Sequence, residues 1–181
     1  MMNENITRRK MLAGTAGLLA LAQTHRAKAS ALDNFSLTAE KPPVPDIQFR
    51  NATGDVLNLS DYRGKVLLLN AWATWCGPCI HEMPGLDTAQ AQLAGDDFQV
   101  LPISMDRGGV QTVDLFYRAQ ALRHLPILLE HRASIAVHMK PRGLPFTLLI
   151  DREGNEIGRA LGEVYWNAPE SLALLRQYIS A

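Results

Sequence analysis

The chain has 181 residues, with 18 Lys and Arg against 18 Asp and Glu, 47% hydrophobic and 20% charged. That balance suits one compact domain with a short extra segment, and it excludes a disordered or collagen-like chain. No stretch reaches the roughly 18 consecutive apolar residues of a spanning helix, and two cysteines cannot build a disulfide-dense scaffold or a four-cysteine zinc site.

Charge is unevenly placed. Residues 1–29 hold five bases and one acid, which leaves 13 bases against 17 acids over residues 30–181, a net charge of −4. That body lacks the Lys/Arg density of a nucleic-acid surface, so no nucleic-acid partner is expected. The first 29 residues read as an export signal. Arg8-Arg9-Lys10 precedes an apolar run over 11–22, and Ala27-Lys28-Ala29 offers the small residues of a cleavage site. The arginine pair looks like a twin-arginine address. An ordinary secretory signal or an uncleaved amphipathic anchor would leave similar marks. Export would bring the protein to an oxidising bacterial periplasm, soluble after cleavage or held by its N-terminus.

Residues 30–41 are small and polar and are expected to be a linker, with the folded domain over 42–181. Asp46–Phe49 and Val56–Leu59 alternate around the turn cluster Asn51–Asp55, which predicts a β-hairpin. Ser60–Gly64 reads as a short helical turn. Val66–Trp72 is a continuous apolar run, as expected of a strand covered on both faces. A helix is expected over 78–93 and a strand over 98–104, although Pro102 counts against a central strand. Residues 110–122 and 132–138 read as helices. Two strands, Thr147–Ile150 and Ile157–Leu161, flank the turn Asp151–Asn155, and an amphipathic helix covers 169–179. This order predicts an α/β fold, a mixed central sheet with helices on both faces plus the N-terminal hairpin.

Both cysteines fall in Trp75-Cys76-Gly77-Pro78-Cys79, between a buried strand and a helix. A C-x-x-C at a helix start brings the sulfurs close enough to bridge. Unpaired N–H groups there favour a thiolate at Cys76, expected at the exposed end, with Cys79 more buried. Pro78 costs no helical bond in a first turn. The Cys76 thiolate can attack a substrate disulfide, and Cys79 then releases the reduced product by closing the internal bridge. With no second cysteine pair, no metal site and no other cofactor is expected.

The run Ala73-Thr74-Trp75-Cys76-Gly77-Pro78-Cys79 resembles the active site of the thioredoxin superfamily. The wider context is similar to its TlpA-like, ResA-like periplasmic branch: Pro45-Asp46-Ile47, Leu59 to Lys65, Leu69-Asn70-Ala71-Trp72, Cys79 to Pro84, Gly143-Leu144-Pro145, Leu149 to Gly154 and Gly162 to Trp166. The resemblance covers about residues 42–180. It implies a thioredoxin fold and a protein-disulfide reductase of the type serving cytochrome c maturation or respiratory copper-centre assembly. It implies client proteins with exposed cysteine pairs, a membrane thiol electron donor of the DsbD or CcdA type, and a monomer.

Residue by residue, the resemblance makes Pro145 a cis-proline that holds substrate backbone together with Leu144, and makes Glu82 an acid that moves protons for the thiols. Asn70 stands where many thioredoxins have a buried aspartate, which leaves Glu82 as the proton group. Burial and thiolate charge would raise its pKa. Trp75, Gly77 and Pro78 would border the substrate. His81 is read as pointing to water, and His124, His131 and His138 as surface or boundary histidines. The loop Arg107-Gly108-Gly109 is assigned no role. A Cu(I)-binding chaperone of the same fold is the alternative, since soft thiolates suit Cu(I); a peroxidase of related fold is the weaker third.

Overall fold

The computed structural model describes residues 30–181; the expected export signal over 1–29 lies outside the described residues. In chain order the elements are β1 (Phe35–Leu37), β2 (Gln48–Asn51), β3 (Val56–Asn58), β4 (Val66–Trp72), α1 (Gly77–Leu93), β5 (Phe98–Ser104), α2 (Gly109–Ala119), β6 (Leu128–Glu130), α3 (Ser134–His138), β7 (Phe146–Ile150), β8 (Glu156–Leu161) and α4 (Pro169–Ile179), with a 3-10 turn at Leu59–Tyr62.

The strands form a single eight-stranded sheet in the order β1-β8-β7-β4-β5-β6-β2-β3. β4, β5 and β6 run parallel, and the remaining pairings are antiparallel. All seven residues of β4 are buried. Such an apolar run is stable as a strand only where both faces are covered. Here Leu68 and Trp72 enter one apolar layer, shared with α1, α2 and α4. Leu67, Leu69 and Ala71 enter the other, under α3 and the β2–β3 hairpin. The mixed sheet with helices on both faces is therefore the one expected.

The same alternation places Asn70 on the α1 side of β4, between Leu68 and Trp72. Its register partner on β7 is Thr147. A polar pair is thus buried beneath the helix that starts at the cysteines.

Three local readings differ. The expected linker over 30–41 contains β1, which pairs antiparallel with β8 through Phe35↔Ala160 and Leu37↔Gly158. Three residues are too few to show an alternating pattern. The strand is held by tertiary partners instead: the Phe35 ring lies edge-on to Trp166 at 5.9 Å, and Glu170 Oε1 accepts from Ser30 Oγ at 2.9 Å. The sequence reading also has no strand at β6, again three residues long, which pairs with β5 at Ile103↔Leu128 and Ser104↔Leu129. α2 ends at Ala119 rather than at 122, because Ala121 takes a left-handed conformation, φ 55°. Pro102 is tolerated in β5 because it precedes the first residue paired with β6; on that edge there is no ladder bond to lose.

Close approach makes Gly158 irreplaceable without movement. A Cβ there would meet Phe35 Cζ at 2.6 Å and the Ser36 carbonyl oxygen at 2.7 Å. Gly158→Ala is expected to lift β1 from β8, with faster amide exchange at Phe35–Leu37 and a stability loss of about 1–3 kcal/mol in denaturant unfolding. Unchanged exchange at these amides would mean that β1 is not seated as described.

Candidate active site

The chain leaves β4 at Trp72 and enters α1 at Gly77, and the short connection is tied down on one side. Met105 N donates to Trp72 O at 2.8 Å. Thr74 donates through N and Oγ1 to the two oxygens of Asp106, at 2.9 and 2.7 Å. Ser104 Oγ holds the same carboxylate at 2.8 Å. Asp106 was not singled out in the sequence, since it lies 32 residues from Thr74 and has no motif around it.

Cys76 is the N-cap of α1, in extended backbone, and its sulfur accepts from Cys79 N at 3.3 Å. That bond and the helix end both favour negative charge on Cys76 when the pair is reduced. The two sulfurs are joined, S–S 2.09 Å, with the Cα atoms 5.2 Å apart. Cys76 retains 7% of its surface and Cys79 1%. The first cysteine is more enclosed than its expected exposed position, yet it is the one of the pair that meets solvent. Trp75 beside it is 70% exposed, and Gly77 and Pro78 are exposed as well.

The Leu144–Pro145 peptide is cis. The register Ala71↔Phe146 carries Pro145 to the end of the sheet from which the cysteine loop springs. Pro145 O accepts from Gly162 N at 2.9 Å, which ties that loop to the one following β8.

Glu82 lies one helical turn beyond Cys79 and is 2% exposed. Three donors converge on its carboxyl: Trp166 Nε1 at 2.5 Å to Oε1, Asn70 Nδ2 at 3.3 Å to Oε2, and the backbone N–H of Val164. Asn70 Nδ2 also reaches Thr147 Oγ1 at 2.9 Å, while Asn70 Oδ1 has no partner among the described residues. Burial is the largest influence and pushes the Glu82 pKa up to about 8; the three donors oppose it, and the charge of Glu163 adds a little in the same direction. Gly85 makes this cluster possible. A Cβ there would meet Trp166 N and Asn167 N, both at 3.3 Å, so only a bare helix surface lets the 164–167 segment come down onto α1.

The other histidines stand apart from this centre. His81 is 3.7 Å from Glu163 with its side chain 72% exposed. His124 Nδ1 lies 2.9 Å from Asp87 Oδ2, and His131 Nδ1 accepts from Arg50 Nε at 3.0 Å. Among the described residues no group of three or more His, Cys, Asp or Glu is arranged to hold a metal ion.

A family model described as the AhpC/TSA family matches residues 41–176, and the chain belongs to that family. It is 31% identical over 111 residues to the thiol-disulfide oxidoreductase ResA of Geobacillus kaustophilus, covering 61% of this chain and 63% of that protein. It is 30% identical over 124 residues to the thioredoxin-like protein YneN of Bacillus subtilis, covering 64% and 67%. Among solved structures it is similar to a Chlorobium tepidum protein described as thiol:disulfide interchange protein DsbE, with 29% identity, a TM-score of 0.63 and coverage of 80% and 97%. With this fold, these relatives and a C-x-x-C pair at bonding distance, the chain is a thioredoxin-like thiol-disulfide oxidoreductase.

The raised pKa of Glu82 makes stability depend on pH. An acid that holds its proton more tightly when folded contributes fully below its ordinary pKa of 4.5, and that contribution is lost as the pH rises to about 8. Between about pH 5 and about pH 9 the oxidised protein should lose roughly 3–5 kcal/mol relative to Glu82→Gln in guanidinium unfolding. Parallel stability curves for the two proteins would show that the carboxyl is charged throughout.

Proposed function

We propose that this oxidoreductase is an exported reductant of protein disulfides. One observation carries the reading: of two bonded cysteines at a helix start, only Cys76 meets solvent, and a carboxyl of raised pKa is buried one turn past the other. In the reduced protein the Cys76 thiolate attacks one sulfur of a client disulfide, and the client's second sulfur leaves as a thiolate. Cys79, losing its proton, then attacks Cys76, so the client departs with both sulfurs reduced and the internal bridge closes. The exchange is balanced, since one disulfide is consumed and one formed.

Glu82 is the proton group for Cys79 in this scheme. Its three donors all suit the carboxylate. Turning over the Asn70 amide would offer the unpartnered Oδ1 to the protonated acid. Trp75, Gly77, Pro78, Leu144 and the cis Pro145 take up client backbone beside Cys76.

Residues 1–29 serve as the export signal, through the twin-arginine route, ahead of a domain that takes in β1 as well as residues 42–181. A membrane thiol donor of the DsbD or CcdA type returns electrons, and the clients belong to cytochrome c maturation or copper-centre assembly. The similarity to a thiol-disulfide oxidoreductase and the oxidising compartment implied by the N-terminus support an exported thiol exchanger. No helix among the described residues is long and apolar enough to cross a membrane. The Cu(I) alternative would rest on the two sulfurs alone.

Catalytic insulin reduction with dithiothreitol is the direct test. The wild type should turn over, Cys76→Ser should not, and Cys79→Ser should accumulate mixed disulfides through Cys76 whose partners identify the clients. Stoichiometric copper without turnover would favour the chaperone reading instead. In a second measurement, the pH profile of thiol alkylation should shift in Glu82→Gln; an unaltered profile would remove the proton role of Glu82.

A further inference from the structure

The segment His131–Arg142 carries Arg132, Lys140 and Arg142 and no acid, within a body of net charge −4. It runs through α3 and leads to the cis Leu144–Pro145 peptide. Cations gather around it in two open clefts. One, of about 560 Å³, is lined by Arg50, Arg107 and Arg132. The other, of about 420 Å³, is lined by Lys140, Arg142 and Arg159. Arg159 is paired with Glu156. The remaining five cations form no ion pair with a carboxylate among the described residues.

The larger cleft shares a wall with the redox loop. Its Met105 and Asp106 are the residues bonded to Trp72 and Thr74, just ahead of Cys76. Two acids, Asp106 and Glu130, also face this cleft, and among the described residues neither forms an ion pair with its arginines. Asp106 is taken up by Thr74 and Ser104. Glu130 accepts from Ile135 N at 2.9 Å, and partial burial raises its pKa.

We infer that the protein selects clients that carry an acidic stretch beside their cysteine pair, and that this stretch lies along the α3 flank against Arg50, Arg107, Arg132, Lys140 and Arg142. This rests on the oxidoreductase reading and adds the client's charge to it. Arginines present paired donors that match carboxylates, so the contact favours Asp and Glu over a merely polar segment. An uncompensated patch of one sign also accelerates encounter with a partner of the other. A polypeptide is the fitting occupant because the cleft adjoins the brace of the loop that carries Cys76, the cysteine that attacks a protein.

The test uses three oxidised peptides that share one cysteine pair and differ only in flanking residues: four Glu, four Gln or four Lys. At low salt the reduced wild-type protein should reduce the Glu peptide about tenfold faster, in kcat/KM, than the Lys peptide. The gap should close toward about 0.5 M salt. In the double variant Arg107→Glu, Arg132→Glu the preference should reverse. The ratio of the two rates is the readout, which cancels any change in the dithiol itself. Equal rates on all three peptides, or a ratio unmoved by the double variant, would overturn the inference while leaving the oxidoreductase reading intact. Failure to reduce any peptide would remove the reading on which it rests. Inhibition by inorganic phosphate that is equal for the Glu and Gln peptides would mark the cleft as a small-anion pocket and likewise overturn it.

Discussion

One carboxyl held away from water organises the packing behind the bonded cysteines of this protein. Glu82, carried by α1, is enclosed by β4 and the segment before α4; β4 contributes one donor, Asn70, and that segment two, Trp166 and Val164. Taking a carboxylate out of water costs far more than a single hydrogen bond returns. The three donors reduce that cost without cancelling it, and the group keeps its proton near neutral pH. A buried acid poised in this range can exchange a proton with its surroundings when a neighbouring thiol changes charge.

The enclosure depends on packing remote from the cysteines. Asn70 reaches Glu82 because strand alternation turns it toward α1, and Thr147 on β7 steadies it from the adjacent strand. Trp166 reaches it because Gly85 leaves α1 bare where the 166–167 backbone descends. Phe35 from β1 then covers the other side of that indole. Residues 30–41 accordingly contribute to the shell around the acid, and are more than a tether to whatever precedes them.

The sheet and the charges divide the work around Cys76. Parallel β4 and β5 deliver the cysteine loop and its brace, Asp106, to one end, and antiparallel β7 brings the cis-proline loop to the same end. On one flank stands Trp75, more than half exposed. On the other flank runs the acid-free segment through α3. Thiol–disulfide exchange depends on which sulfur can be reached as well as on thiol pKa values, so surfaces of this kind are where selectivity can arise.

Much of this was legible in the amino-acid order. The continuous apolar run of β4, the C-x-x-C followed by a helix and the alternating hairpins are local patterns, and local patterns report local structure. Glu82 was singled out by the resemblance, at a place one turn from Cys79 on the same helix. The cis geometry at Pro145 was implied by a resemblance and by nothing in the spacing. Elements of three residues, β1 and β6, carry too few positions to show a period and exist only because a neighbouring strand pairs with them. The partners of Glu82 had no such signature either. Trp166 is 84 residues away in the chain and Thr147 is 77 from Asn70, and separations of that size are closed only by the sheet order. Sequence by itself thus determined which atoms react and on what kind of scaffold, because bonding and periodicity act between near neighbours. The proton affinity of the buried acid and the gathering near the cysteine loop of cations that are unpaired among the described residues were decided by tertiary structure, because desolvation and electrostatic fields depend on distance in space.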